Sequence, residues 1–447
     1  MDAAAPVPPL DHHTLLVFLL QIGLLLLLAI ALGRLAVRFG MPSVVGELSV
    51  GVVLGPSLLD TVAPGLSGWL LPKDPEQMHL LDAFGQIGVL MLVALAGMHI
   101  DLGLIRRRGV SAVGISAGGL VVPLGLGIVA GMLVPAQLLV DPDDRGVFVL
   151  YLGVAMCVSA LPVIAKTLID MNLIHRNVGQ LTMTAGTIDD AFGWLMLSVV
   201  SAVATTGFRT GQVGLSLLYL VLAVVVAALV GRPVVRLALR TAARAAETGP
   251  VVATAVVIVV LGSAATHALK LEAVFGAFVC GILIGSVAKE HHARLAPLNT
   301  VTMSVLAPVF FAIAGLRVDI TALADPLVLA AGLALLVVAV VGKFAGAYVG
   351  ARASRLSHWE GIAIGAGMNA RGVIEIVVAM VGLRIGILTV EAYTIIVLIA
   401  IATSLMAPPI LRWAMARVEL TAEEELRHTE QRSLTAVGAV PPSAPLA

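Results

Sequence analysis

The chain has 447 residues, 59% hydrophobic and 12% charged, with zero formal net charge. A soluble domain carries about 25% charged residues, so this chain cannot clothe a water-facing surface. Its mean hydropathy of +1.05 excludes a soluble enzyme, a nucleic-acid binder with a basic face and a disordered scaffold, and predicts an all-α polytopic membrane protein.

Thirteen apolar stretches are predicted to cross the bilayer, over roughly 15–37, 42–63, 84–100, 110–134, 147–169, 176–205, 212–240, 250–268, 272–288, 299–317, 325–352, 358–383 and 389–414. Residues 1–14 have no basic region and no small-residue cleavage site, so the first stretch is expected to stay as a helix behind an extracytoplasmic segment. Residues 15–414 form one membrane domain, and 415–447, with acidic Glu423 to Glu425 and a Pro-rich end, are expected to be a disordered cytoplasmic tail. Cys157 and Cys280 lie in apolar runs and read as inert thiols. His12, His13, His79, His291 and His292 fall in loops.

Odd-numbered loops carry fourteen Lys and Arg, among them Arg34, Arg38, Arg106 to Arg108, Arg176 and Arg232. Even-numbered loops carry six: Lys73, Arg145, Arg209, Lys270, Arg317 and Arg384. The positive-inside rule then places the N-terminus outside and the C-terminus in the cytoplasm.

The chain also repeats itself. The second stretch has Gly46, Gly51 and Gly55; the ninth has Gly276, Gly281 and Gly285, at the same spacing. The third ends Ala94-Leu-Ala-Gly97-Met-His-Ile-Asp101 and the tenth ends Ala312-Ile-Ala-Gly315-Leu-Arg-Val-Asp319. Both pairs are seven spans apart, so the copies, 15–205 and 250–414 joined by a linking helix 212–240, have opposite orientation. Inverted repeats are a mark of secondary transporters, whose sites lie at mid-membrane between interrupted helices. Two interruptions stand at that same offset: Ser159-Ala-Leu-Pro162 in the fifth stretch and Met368-Asn369-Ala-Arg371-Gly372 in the twelfth. Such unwound backbone is tolerated at membrane depth only inside protein or beside a cavity.

Charges stand inside these helices too. Asp189 and Asp190 lie about one-half of the way along the sixth stretch, where one charge costs about 2.5–3.5 kcal/mol. Neighbouring helical residues point about 100° apart, so one carboxylate is expected to face a cavity and the other a basic residue. Lys343 lies too deep in the eleventh stretch to reach water and is the natural partner of Asp189. Carboxylate oxygens suit a hard cation. Glu47, and Arg371 with Glu375 at i,i+4, are read as buried supports of the broken helices, with Asn369.

These residues resemble a known family. Pro42-Ser-Val-Val-Gly-Glu47, Ser159-Ala-Leu-Pro-Val-Ile-Ala-Lys166 with Asp189-Asp190, and Met368-Asn-Ala-Arg-Gly-Val-Ile-Glu375 are similar to the cation:proton antiporter-2 family, most of all to its plant-type cation/H⁺ exchanger branch. The resemblance spans about 15–414. It implies a sodium/proton antiporter-like fold of thirteen helices with crossed, broken fifth and twelfth helices, a homodimer in the lipid membrane, and a core that moves against a dimerisation domain. It places the essential ion-binding carboxylate at Asp190 and, by analogy with electrogenic members, a pair at Asp189 and Lys343.

The expected function is exchange of a monovalent cation, Na⁺ or K⁺, for protons by alternating access, with Asp190, Asp189 and Ser159 as ligands. It requires neither a cofactor nor a nucleic-acid partner. A cation channel and a transporter of another small solute are the alternatives. A channel would need a short filter rich in carbonyl-presenting Gly, and a site for an organic solute would have more aromatic lining than 4% of residues suggests.

Overall fold

A computed structural model describes residues 10–71, 75–100, 102–142, 145–206, 210–245, 247–287, 292–421 and 423–425. Lys73, Asp101, Arg209, Lys289, His291, residues 1–9 and the tail beyond Glu425 lie outside them, and so do the side chains of Arg106 to Arg108. In chain order the helices are α1 His12–Arg38, α2 Ser43–Leu54, α3 Leu59–Val62, α4 Pro64–Leu70, α5 Pro75–Met98, α6 Leu102–Leu133, α7 Arg145–Cys157, α8 Leu161–Asp170, α9 Asn177–Thr206 and α10 Thr210–Val226. They continue as α11 Arg232–Ala242, α12 Gly249–Ala268, α13 Ala273–Val287, α14 His292–Val301, α15 Ala307–Gly315, α16 Pro326–Ala353, α17 His358–Met368, α18 Val373–Arg384 and α19 Val390–Met415.

Eleven described helices are long and apolar enough to span a bilayer. The pair α17–α18, bent by 41°, supplies a twelfth, and the 15-residue α13 occupies the ninth expected position. Helix limits differ from the sequence reading where polar residues stay helical at the ends of the bundle. α5 starts at Pro75 rather than 84, and its Asp82 is held by Arg317 at 2.6 and 2.7 Å. Two wide π turns, Ala227–Gly231 and Thr302–Leu306, precede Pro233 and Pro308. A proline has no N–H to give to the preceding turn, and the local widening absorbs that mismatch.

The two copies grip each other through exchanged contacts. A Cβ on Gly51 of α2 would lie 2.1 Å from the Ala312 carbonyl of α15, and one on Gly315 would lie 2.1 Å from the Leu48 carbonyl of α2. The same relation holds between α13 and α5: a Cβ on Gly281 would meet the Ala94 carbonyl at 2.1 Å, and one on Gly97 the Phe278 carbonyl at 2.4 Å. Thus the glycine motif of each copy packs on the Ala-x-Ala-Gly end of the other, as a two-fold relation between copies requires. Only hydrogen side chains permit backbones this close.

The same rule positions the interior. α6 and α16 cross at Gly118 and Gly346, where an added Cβ would stand 2.3 and 2.2 Å from the facing carbonyl. That crossing brings Ser116 of α6 and Lys343 of α16 to one level.

Where an unstructured tail was expected beyond Arg417, residues 418–421 and 423–425 turn back onto α9. Arg176 donates to the carbonyls of Val418 and Glu419 at 3.0 Å each. Glu424 pairs with Arg176 at 3.3 Å and accepts from the Asn177 amide at 2.6 Å, so it caps the N-terminus of α9. Burial alone would push the Glu424 carboxyl up. The Asn177 and Thr421 amides and the Arg176 guanidinium outweigh it and hold the group below its ordinary 4.5. A depressed pKa contributes stability above the ordinary value and loses it as pH falls through the depressed one. Docking is therefore expected to persist from neutrality down to about pH 4.5, and to be lost only in stronger acid. Limited proteolysis of the tail across pH checks this: Glu424→Gln should be cut faster at pH 7, and equal cutting would refute the cap.

Candidate ion-binding site

Two chain breaks face each other at the centre of the bundle. The first, residues 158–160, separates α7 from α8; the second, residues 369–372, separates α17 from α18. Each restart has a local cause. Pro162 sits in the first turn of α8, where its missing N–H costs nothing. Gly372, just before α18, has φ 157° and ψ −110°, a backbone state that a side chain would disfavour. The breaks cross in contact: the Ala160 amide donates to the Ala370 carbonyl at 3.1 Å, and the Ser159 hydroxyl lies 2.9 Å from the Met368 carbonyl.

Broken helices leave bare dipole ends, and buried charges meet them. The negative end of α7 presents the carbonyls of Ala155, Met156 and Cys157. Arg371 donates to Ala155 at 3.2 Å and to Met156 at 2.5 Å, and also to Ala339 of α16 at 3.1 Å. Lys343 donates to the Cys157 carbonyl at 2.6 Å. Ser404 of α19 donates to the Arg371 carbonyl. At the positive end of α8, the Leu161 amide points at Asp190 Oδ1, 3.4 Å away.

The carboxylates divide into paired and unpaired. Asp189, 0% exposed, takes Lys343 at 2.5 Å and Ser159 at 3.1 Å on Oδ2, and Ser116 at 2.5 Å on Oδ1. Glu375 takes Arg371 at 3.1 Å. Asp190, 1% exposed, has only the long amide contact, and its Oδ2 has no hydrogen-bond partner. Lys343 and Arg371 thus balance Asp189 and Glu375, and Asp190 is the surplus negative group of the cluster. In so low a dielectric an unpaired carboxylate is untenable for long without a proton or a cation.

The sequence expectations fall out as follows. Asp189, Asp190, Ser159, Lys343, Arg371 and Glu375 come together, with Asp189 rather than Asp190 on the lysine. Ser159 bonds Asp189, not Asp190. Asn369 is buried in the second break, its Oδ1 without a partner. Glu47 stands apart from the cluster, alongside Gly33 of α1: a Cβ there would lie 3.5 Å from its carboxylate. Ser116 escaped the sequence reading, since a lone serine in an apolar helix is ordinary. Its signal was Gly119, three residues on and on the same helix face, where an added Cβ would lie 3.8 Å from Lys343 Nζ. Among the described residues, no three His, Cys, Asp or Glu side chains gather as a metal cluster.

A family model for the transmembrane sodium/hydrogen exchanger matches residues 23–417. The chain belongs to the sodium/hydrogen exchanger family. The exchanger is 29% identical over 406 residues to a Na⁺/H⁺ antiporter, NhaS4, of Synechocystis, covering 90% of this chain and 98% of that one. It is 28% identical over 398 residues to a Na⁺/H⁺-K⁺ antiporter, GerN, of Bacillus cereus, covering 89% and 96%. It is 29% identical to cation/H⁺ antiporter 18 of Arabidopsis thaliana, but spans 48% of that longer protein. The solved sodium proton antiporter MjNhaP1 of Methanocaldococcus jannaschii has the same fold, with a TM-score of 0.66 at 17% identity over 90% of this exchanger and 99% of that chain. The exchanger is therefore a membrane transporter, not an enzyme.

Proposed function

We propose that the exchanger swaps a monovalent cation, Na⁺ or K⁺, for protons across the membrane by alternating access, with Asp190 as the group that holds each in turn. One observation carries this reading: in a cluster whose other carboxylates are each matched by a cation, Asp190 has none and keeps a free oxygen. A buried charge without a partner must draw one from solution. A proton or a dehydrated alkali ion neutralises it equally well, so the two compete for one place.

In the proposed cycle the core, carrying α6 to α9 and α16 to α19, exposes Asp190 to one side. The ion binds between Asp190, Ser159 and the unwound carbonyls of the crossing. The core then moves against the rest, opens to the other side, and protons displace the ion. A core with Asp190 bare would cross at a cost of several kcal/mol, and that barrier enforces one-for-the-other exchange. When the ion arrives, Asp189 leaves Lys343 to share it and the lysine gives up its proton to that side. When protons displace the ion on the other side, one returns to Asp190 and one to Lys343, and the Asp189–Lys343 pair re-forms. Two protons for one cation make the exchange electrogenic. We further propose a homodimer in the cell membrane, with the N-terminus outside and the C-terminus in the cytoplasm. The family resemblance and the fourteen-to-six bias of basic residues support that arrangement.

Proteoliposomes loaded with a pH-sensitive dye test this. Adding Li⁺, Na⁺ or K⁺ should dissipate an imposed pH gradient for at least one ion, at a rate that responds to a clamped membrane potential. A cation flux that follows potential without moving protons would mean a channel instead.

A further inference from the structure

The helix that carries the aspartates is asymmetric about them. On the N-terminal side of Asp189, three hydroxyls of α9 satisfy themselves on the carbonyl one turn back: Thr182 at 2.8 Å, Thr184 at 2.7 Å and Thr187 at 2.8 Å. That is how a hydroxyl ordinarily settles inside a membrane helix. On the C-terminal side two groups depart from it. The Trp194 indole N–H and the Ser198 hydroxyl are buried at 0% exposure, and neither has a hydrogen-bond partner.

These two atoms are not scattered. Asp190, Trp194 and Ser198 follow at i, i+4 and i+8, so they share one face of α9 within about 80° and extend about 12 Å along its axis. All three carry an orphaned polar atom. Trp194 closes the row against α13, its ring 6.0 Å from that of Phe278. A serine free to rotate, one turn above a carbonyl it could use, has been left aiming elsewhere. Buried polar groups are as a rule met; other orphans among the described residues, such as those of Gln21, Ser263 and Thr302, stand singly on different helices, whereas these three form one row that leads to the ion site.

We infer that the Asp190–Trp194–Ser198 face of α9 lines the hydrated approach by which the cation reaches Asp190 from the membrane face where α9 ends, and that the Trp194 ring on Phe278 is the barrier closing it here. This rests on Asp190 being the exchange site. When α9 moves away from α13, the indole swings off Phe278, and its N–H and the Ser198 hydroxyl take water. The hydroxyl then supplies an oxygen to a partly hydrated ion on its way to the carboxylate, which fits an alkali cation better than an organic one.

Thiol accessibility tests the approach without needing transport. Ser198→Cys and, on the opposite side of the same helix, Val203→Cys are each treated with a charged, membrane-impermeant thiol reagent in vesicles of either orientation. The unmodified exchanger, with its own Cys157 and Cys280, is the blank. The expected result is modification of Ser198→Cys well above the blank from the face where α9 ends, none of Val203→Cys, and faster modification when Trp194→Ala is added. Equal labelling of the two positions, or none at Ser198→Cys from either face, would overturn the inference. Should Ser198→Cys fold poorly, Ser198→Thr, which keeps the hydroxyl, should retain exchange while Ser198→Val slows it. Equal rates for those two would overturn it as well. Exchange that survives Asp190→Asn would instead defeat the site assignment, and the two failures are thereby told apart.

Discussion

Replacing Asp190 with Asn is expected to abolish cation-dependent proton movement while leaving the protein folded. Asn keeps the size of the side chain and removes the only charge in the cluster that lacks a partner. Nothing then needs a proton or a metal ion, so neither is bound in exchange for the other. A loss of about 3 kcal/mol of ion stabilisation alone corresponds to a rate about a hundredfold lower, and the loss of competition removes coupling altogether. The same substitution takes away an uncompensated buried charge, so the melting temperature should equal or exceed that of the unaltered protein. It should also stop rising when Na⁺ or K⁺ is added, because a ligand stabilises only what it binds. Wild-type exchange from the Asn variant would show that another group holds the ion.

Lys343→Met carries the largest expected stability loss. Lys343 is 0% exposed and donates to Asp189 at 2.5 Å and to the Cys157 carbonyl at 2.6 Å. Without it, Asp189 keeps only the Ser116 and Ser159 hydroxyls, and the end of α7 loses one of its caps. Removing one member of a buried ion pair typically costs about 3–5 kcal/mol, whereas replacing both is often near neutral. The double variant with Asp189→Asn should therefore recover much of the lost thermal stability. A double variant no more stable than Lys343→Met alone would show that the lysine acts mainly on the α7 carbonyls.

Much of this is legible in the sequence. The spans follow from hydropathy, and the repeat from glycine spacing, because close backbone approach tolerates no other residue. The partnership of Asp189 and Lys343 could be argued from depth alone: two opposite charges stranded in hydrocarbon seek each other. What the sequence could not say is which chain segments cross. Ser116 became part of the site only when α6 met α16 through glycines. Arg371 reads as a helix-face partner of Glu375, yet it does two things at once, and its capping of Ala155 and Met156 depends on where α7 ends. Ser159 was expected beside Asp190; the crossing turns it toward Asp189 and the Met368 carbonyl instead. Glu47 looked like part of the same buried set, but α2 belongs to the half that packs on α1 and α15. Docking of the tail on α9 was hidden because an acidic run after a helix usually means a solvated end.

The central claim is that one carboxylate is shared by a proton and an alkali ion, and proton release on ion binding measures it directly. Purified protein in weakly buffered detergent solution near neutral pH is given Li⁺, Na⁺ or K⁺ while pH is followed. The account predicts saturable proton release on addition of the transported ion, and none from Asp190→Asn. Cation binding registered by calorimetry with no proton released, or release undiminished in that variant, would contradict it.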